Sequence, residues 1–506
     1  MRTATRRLRW PGPGRRSLRH RLACLTVLAL SDCAVGPNFH HPANPATDRY
    51  TAQPLPAAPA ASVTPDEPAG IDRPAQQFVV GQNSPADWWK GFGSSELDAL
   101  VDKALHANPT VQAAEASLRQ ANEYVAAQRG AYFPTVQASL SASKNRNAVQ
   151  VLAPTLTSGV ATFNLYTPQL TVSYVPDLLG GNRRQVESLQ AQADASRFEY
   201  DAAYITLAAN VVSTAIQEAG LRAQIEATQQ VIALERESLS VMRRELELGA
   251  VAEADVLAQE AALAQVESTL PPFQKSLDQQ HDMLAALTGQ LPSEAPVSEI
   301  KLNQLRLPMT IPVGVPAQLV ERRPDVRAAE AQLHAATAEV GVSIANMLPQ
   351  ITLTGAIGNA STSISSLFTS ATEFWSAGAS LTQTLFAGGT LYHRERAARA
   401  GLDAAGAQYR AAVLTAFQNV ADSLRALAAD QDEVQAEDHA YSASLESLNI
   451  ARQQVNLGAV GYLALLNAQQ TYQQAIIGRA QALTNRYADT AALYQALGGS
   501  APATPL

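Results

Sequence analysis

The chain repeats itself. Asn108-Pro109-Thr110-Val111-Gln112-Ala113-Ala114-Glu115-Ala116 matches Arg323-Pro324-Asp325-Val326-Arg327-Ala328-Ala329-Glu330-Ala331, and Leu118, Val125 and Pro134 fall at the same offset as Leu333, Val340 and Pro349. Farther along, Gly180-Gly181 corresponds to Gly388-Gly389, and Leu248-Gly249-Ala250-Val251 to Leu457-Gly458-Ala459-Val460. A length of 506 residues alone would suggest several unrelated domains. An ordered duplication requires instead that two halves, 87–300 and 301–499, fold alike.

Each half opens with a helical segment, about Ser95 to Gly130 and Pro316 to Met347, that runs to Pro134 or Pro349, where the helix must stop. The period then changes to two. Val136, Ala138, Leu140 and Ala142 alternate with Gln137, Ser139, Ser141 and Ser143, and Leu170, Val172 and Tyr174 with Gln169, Thr171 and Ser173. In the second half Ile351, Leu353 and Ile357 alternate with Thr352 and Thr354, and Trp375, Ala377, Ala379 and Leu381 with Ser376, Ser380 and Thr382. This is one long hairpin per half. After the glycine pairs the period becomes helical, with Leu221, Ile225, Ile232, Leu239, Met242 and Leu246 in the first half and Val413, Phe417, Val420, Leu424, Leu427 and Val434 in the second. A helix from Gly181 to Leu248 is about 100 Å long at 1.5 Å per residue, and Gly389 to Leu457 matches it. Each breaks at Leu-Gly-Ala-Val, and a second helix returns toward Leu287-Thr288-Gly289 or Leu497-Gly498-Gly499, glycines that suit helix ends.

Strands of this length with one apolar and one small polar face fit a membrane barrel. Four strands cannot close one, and an open edge in hydrocarbon leaves backbone groups unpaired at several kcal/mol each. The chain is therefore expected to associate. Two copies give about eight strands and a filled lumen, three about twelve and an open one; the small inward serines and glycines favour three. The predicted class is an α+β membrane protein, internally duplicated, in which long coiled-coil helices form a helical barrel and four transmembrane strands per chain build a 12-stranded β-barrel in a homotrimer.

The ends fit a secreted chain. Residues 1–32 hold eight arginines and one acid, then the short apolar run Leu22 to Leu30, the layout of a signal peptide. The net charge of −8 becomes −15 once that +7 segment is removed, which argues against nucleic acid as a partner. Cys33 follows directly, and Leu30-Ser31-Asp32-Cys33 reads as a lipobox with Asp32 in place of the usual small residue. Cys33 is the candidate lipid-attachment site, the alternative being a leftover thiol. The span 33–86, rich in Pro and Ala, reads as an extended tether, and 500–506 as a tail.

Cys33-Ala34-Val35-Gly36-Pro37-Asn38-Phe39, then Asp87-Trp88-Trp89 with Phe92, Leu97 and Leu100-Val101, together with the duplicated body, resemble the outer-membrane factors of tripartite efflux pumps, specifically NodT-type efflux lipoproteins related to TolC and OprM. The resemblance covers Cys33 to Gly499. It implies a lipid-anchored trimeric duct in the bacterial outer membrane, extending into the periplasm and docking a periplasmic membrane-fusion adaptor and an inner-membrane efflux pump of the resistance-nodulation-division class. It places channel-constricting positions at Leu463 and Asn467, beside Tyr462, where the family often has aspartate at the second position. It places adaptor-docking tips at Leu248, Gly249, Ala250 and Val251 and at Leu457, Gly458, Ala459 and Val460. Ordinary packing near a turn, and plain helix capping, are the alternatives for these two groups.

No enzyme chemistry is legible. His40-His41, His281 and His393 lack metal-ligand spacing and read as surface residues, no cofactor cradle is found, and Gly180-Gly181-Asn182-Arg183-Arg184 lacks the ending of a phosphate loop. Glu235, Glu237, Glu245 and Glu247 mixed with Arg236, Arg243 and Arg244 read as a solvated helix face. A duct for a type I protein-secretion system would use the same fold, and a pore-free periplasmic coiled-coil scaffold would explain the helices but not the hairpins.

Overall fold

Two prolines shape the start of each half. In the computed structural model, which describes residues 34–47, 49–51, 76–82, 84–146, 162–296 and 299–499, the opening helical segment of each repeat is two helices and not one. Helix α1 (Ser95–Ala107) stops before Pro109 and α2 (Pro109–Arg129) begins there; α5 (Pro316–Arg322) and α6 (Pro324–Ala345) divide in the same way. Asn108 and Arg323, each preceding proline, are forced to extended backbone with ψ of 124° and 122°. The signal segment, Cys33, most of the Pro-rich stretch, the turn of the first hairpin and the C-terminal tail lie outside the described residues.

The remaining elements are β1 (Gln77–Val80), β2 (Thr135–Arg146), β3 (Thr162–Tyr174), α3 (Gly181–Glu247), α4 (Glu253–Leu287), β4 (Thr310–Val313), β5 (Gln350–Asn359), β6 (Glu373–Thr382), α7 (Thr390–Asn456) and α8 (Tyr462–Ala496). The long helices repeat to the residue. Helices α3 and α7 have 67 residues each, and α4 and α8 have 35 each, with starts at 181 and 390 and at 253 and 462, an offset of 209 both times. No described helix is long and apolar enough to cross a membrane, which says nothing of a β-barrel.

Contacts separate two compact units. The first takes the described residues of Met1–His41, Arg119–Asp194 and Ala331–Ala407. Its centre is one antiparallel sheet in the order β2-β3-β5-β6, so the two hairpins are joined through β3 and β5. The register sets like beside like. Val136 pairs with Val172, which pairs with Gly355 and through it Ala377; Ala138, Leu170, Ile357 and Trp375 form the next row. Ser173, Thr354 and Gly378 form a row of the other face. The apolar rows are open in the isolated chain, with Trp375 77% exposed and Leu140, Leu170, Leu353, Ile357 and Leu381 also exposed, a continuous apolar face of a kind a water-soluble monomer does not carry. Exposed Tyr132 and Phe133 precede β2 and exposed Phe386 follows β6, in keeping with an aromatic girdle.

The first unit also seats a strap, Ala34 to Phe39. Arg184 donates from Nε to the Val35 carbonyl at 3.1 Å and from Nη2 to Asn38 at 2.6 Å, and the Phe39 ring stacks on His334 with centroids 4.4 Å apart. His334 and Arg184 both reach Glu187, at 3.0 and 2.7 Å. Burial pushes the Glu187 carboxyl up, but these two hydrogen bonds outweigh it and hold it below its ordinary value. A side chain at Gly341 would meet the Val35 carbonyl at 2.9 Å, so the strap lies where only glycine permits it.

The second unit takes the described residues of Pro42–Leu118, Ala195–Glu330 and Gln408–Leu506. Its core near the helix ends is aromatic. Buried Trp88 stacks on Tyr494 at 5.1 Å and Phe92 packs on Tyr487 at 6.2 Å. Beside it β1 and β4 pair in parallel, an element within the span read from sequence as a tether, and Tyr50 donates to the Gly314 carbonyl at 2.8 Å. The residues before the two prolines do equivalent work. Asn108 Nδ2 donates to the Leu287 carbonyl at the end of α4, and Arg323 Nη1 to the Ala496 carbonyl at the end of α8, both at 2.9 Å. Each fastens the start of a repeat to the carbonyl end of that repeat's last helix, which favours a donor and, for Arg323, a positive charge.

Because Arg323 is buried and bonds Ala496 and Asp325 at once, Arg323→Met is expected to lower unfolding stability by about 2–3 kcal/mol, the scale of lost charge-assisted hydrogen bonds. Urea or thermal unfolding of the detergent-solubilised protein measures it, and an unchanged midpoint would show that this fastening contributes nothing.

Candidate functional site

The two Leu-Gly-Ala-Val turns close the long helices by one device. At the first, Gly249 adopts φ 71°, its N–H donates to the Leu246 carbonyl at 2.9 Å, and the Ala250 N–H donates to Glu245 at 2.8 Å. At the second, Gly458 adopts φ 72°, with Gly458 N–H to Val455 at 2.9 Å and Ala459 N–H to Gln454 at 2.8 Å. These paired bonds satisfy carbonyls that a helix end otherwise leaves open, and the left-handed residue they need is glycine. Open space surrounds both glycines, so conformation and not crowding selects them. Each turn presents a large apolar side chain to solvent, Leu248 at 78% and Leu457 at 83% exposure. Ala250 and Ala459 are exposed as well, and Val251 and Val460 are half-buried.

The first two turns of α8 carry the other predicted residues. Leu465, Ala468 and Tyr472 are buried in one cluster with Val231, Ile232, Val266, Leu448 and Ala451, and Gln469 is buried as well. Leu463 and Asn467, four residues apart, therefore share the opposite face and are both exposed in the single chain. At the offset of 209 the first repeat has Ala254 and Ala258 in these places, so the duplicated fold does not itself call for a leucine and an asparagine. Tyr462 is half-buried against Leu239, Met242 and Val256, and its hydroxyl donates to Glu245 at 2.5 Å. Burial and this carboxylate both push the Tyr462 phenol well up, so it remains a donor.

A polar layer lies just inside the tips. Gln469 Nε2 donates to Ser238 at 3.0 Å, and Gln259 donates to the Glu235 carboxylate, bringing α8, α3 and α4 together through side chains that are nearly all buried. The mixed charge pattern assigned Glu235 to a solvated face; the structure corrects this, with Glu235 1% exposed and its carboxyl pushed up by burial, partly offset by Gln259. Glu245, read the same way, is the acceptor for Tyr462. The neighbouring arginines do behave as surface groups, in exposed pairs Arg236–Glu267 and Arg243–Glu260, both at 2.7 Å, which add little stability. A buried acid at one helical position between apolar neighbours Val231, Ile232 and Leu239 was the available signal, masked by Arg236 and Glu237 beside it. Among the described residues no group of three or more His, Cys, Asp or Glu is placed to hold a metal ion.

This geometry can be set beside known proteins. The sequence profile described as outer membrane efflux protein matches residues 100–290 and 315–499, one copy for each repeat. The chain belongs to the outer membrane efflux protein family. The pyoverdine export outer membrane protein OpmQ of Pseudomonas putida is 30% identical over 417 residues, covering 81% of this chain and 87% of that one. Outer membrane protein OprJ of Pseudomonas aeruginosa is 28% identical over 482 residues, covering 94% and 95%. The solved outer-membrane channel OprN superposes with a TM-score of 0.79 at 29% identity, over 92% of this chain and 99% of that one. As a family member the chain has the fold predicted from its periods, with long helices and barrel strands in duplicate.

Since Glu235 ionises less readily when buried, its contribution is complete below its ordinary value and is lost as pH rises through the raised one. Glu235→Gln, which keeps the shape and cannot ionise, is expected to raise the thermal midpoint at alkaline pH and leave it nearly unchanged in acid. Equal midpoint shifts at both extremes would remove ionisation of Glu235 from the account.

Proposed function

We propose that the protein is the outer-membrane channel subunit of a tripartite efflux system for small molecules, a passive exit duct. The observation that carries this reading is the four-stranded sheet with one apolar face and two unpaired outer edges, β2 and β6, in a chain of the efflux family. Hydrocarbon does not tolerate such edges, and pairing β6 of one copy with β2 of the next removes them. Three copies give about twelve strands and room for a lumen, so the functional unit is a homotrimer, with its helices in the periplasm.

The exposed Leu248 and Leu457 turns then serve as docking points for a periplasmic membrane-fusion adaptor, which in turn couples to an inner-membrane pump of the resistance-nodulation-division class. Apolar knobs on rigid, well-capped turns suit a partner that presents complementary helical surface. Leu463 and Asn467 form stacked rings of three at the channel mouth, one apolar and one polar, and uncharged Asn467 leaves that mouth without the negative ring an acid would create. Cys33 is the lipid-attachment site; the seating of Ala34 to Phe39 on Arg184 and His334 supports this, because it holds the segment that follows the cysteine against the unit containing the barrel strands.

Detergent extraction of the outer-membrane fraction tests the reading directly. A heat-modifiable trimer that conducts ions in planar bilayers is expected, whereas a monomer released by carbonate would overturn it. Asn467→Asp is expected to increase cation preference of that conductance by adding three negative charges at one level of the pore; unchanged selectivity would place Asn467 away from the constriction. Mass spectrometry of the N-terminal peptide is expected to find acyl chains on Cys33, and an unmodified thiol would remove the anchor.

A further inference from the structure

Two acids meet where α7 packs on α8. Asp430 of α7 is 6% exposed, between buried Leu427 and Val434 on the same face of its helix. Asp489 of α8 lies in hydrogen-bonding contact with it. The Oδ2 atom of Asp430 is sealed from solvent, and no donor among the described residues reaches it. Ionised carboxylates only accept hydrogen bonds, so two that touch must hold a proton between them. The charged groups that face Asp430 are Asp489 and Arg486 from α8 and Glu433 from α7 itself, two acids with one arginine.

The duplication supplies an internal comparison. At the offset of 209 set by the equal helices, Asp430 corresponds to Leu221, Asp489 to Gln280, Glu433 to Gln224 and Arg486 to Leu277. The same helix pair in the first repeat is therefore built with no ionisable group at any of these four places. Helix packing alone does not require the acids, and burying them costs stability that leucine and glutamine do not cost.

We propose that Asp430 and Asp489 share one proton and act as a pH-sensitive clasp, tying α7 to α8 while the proton is held and loosening that pair when it leaves. Burial is the main cause that pushes Asp430 up, to about 7, followed by repulsion from Asp489, with Arg486 opposing; burial likewise raises Asp489. The two titrate as a unit. An acid raised above its ordinary value of 3.8 lends the folded state its stability in acid, and that stability is lost as pH rises through the raised value. The helix pair is thus tightest in acid and more pliable from neutrality upward, a response that the four equivalent positions of the first repeat, all without ionisable groups, do not provide.

Amide exchange of the full-length protein in detergent, followed across α7 near 430 and α8 near 489 and corrected for intrinsic chemistry, tests the clasp. Between about pH 5 and about pH 8.5, opening in the wild type is expected to rise by up to about tenfold per pH unit around neutrality, the limit for one linked proton. The double variant Asp430→Leu with Asp489→Gln, which installs the first repeat's own residues, is expected to abolish that dependence. A flat wild-type profile, or a double variant that keeps the wild-type slope, overturns the proposal. Infrared spectra of the wild type give a readout that needs no variant. A protonated-carboxyl band present in mild acid and lost toward alkaline pH, and missing from Asp430→Asn, is expected; its absence from the wild type overturns the shared proton.

Discussion

A β-sheet edge has to find hydrogen bonds, and most of this protein's organisation depends on how that requirement is met. The sheet satisfies its interior strands β3 and β5 on both sides and leaves β2 and β6 each with one open side. In water those groups could be solvated, but the apolar rows through Leu170, Ile357 and Trp375 belong in hydrocarbon, where an unpaired group costs several kcal/mol. Adding strands within the chain would be one solution. Duplication of a hairpin followed by association of copies is another, and it needs only that the first and last strands of the sheet have complementary registers.

Duplication also explains why the long helices agree in length to the residue. Helices from the two repeats that pack side by side must end at the same level if the tips are to meet, and any insertion would displace one Leu-Gly-Ala-Val turn from the other. The Tyr462–Glu245 and Gln469–Ser238 bonds join the second repeat to the first near that level. The repeats differ at most positions of their long helices, among them Leu463 and Asn467 for Ala254 and Ala258, and Asp430 and Asp489 for Leu221 and Gln280. What stays constant is the frame of helix lengths and glycine turns.

The strands, the long helices and the glycine turns were legible because each follows from a period or a backbone requirement: alternation at Val136 to Ala142, three-four spacing from Leu221 to Leu246, and the left-handed residue at Gly249 and Gly458. The splits at Asn108 and Arg323 were in principle legible too, since proline forbids the preceding residue a helical conformation, but the strong apolar pattern on both sides concealed them. Strands β1 and β4 were not legible. Four residues are too few to establish a period, and their partners lie more than two hundred residues apart, Gln77 with Thr310. Glu235 escaped for a different reason, since its exposed neighbours share its composition and only tertiary packing distinguishes an acid turned inward from one turned out. Leu463 and Asn467 are exposed on one face of the single chain, and residue pattern alone leaves them as surface residues, so only the family resemblance singles them out.

Apolar packing and hydrogen bonding divide their work at the tips. The clusters around Val231, Leu448 and Leu465, and around Leu239, Met242 and Val256, supply most of the attraction, but leucine, valine and methionine side chains exchange partners at small cost when helices slide or rotate. Tyr462 with Glu245, and Gln469 with Ser238, are directional and cannot be exchanged in this way, although both bonds are only partly buried and each contributes less than the about 1–3 kcal/mol of a fully buried group left without a partner. The apolar clusters supply the attraction, and these directional polar contacts favour the register of α8 on α3 that sets Tyr462 beside Glu245 and Gln469 beside Ser238.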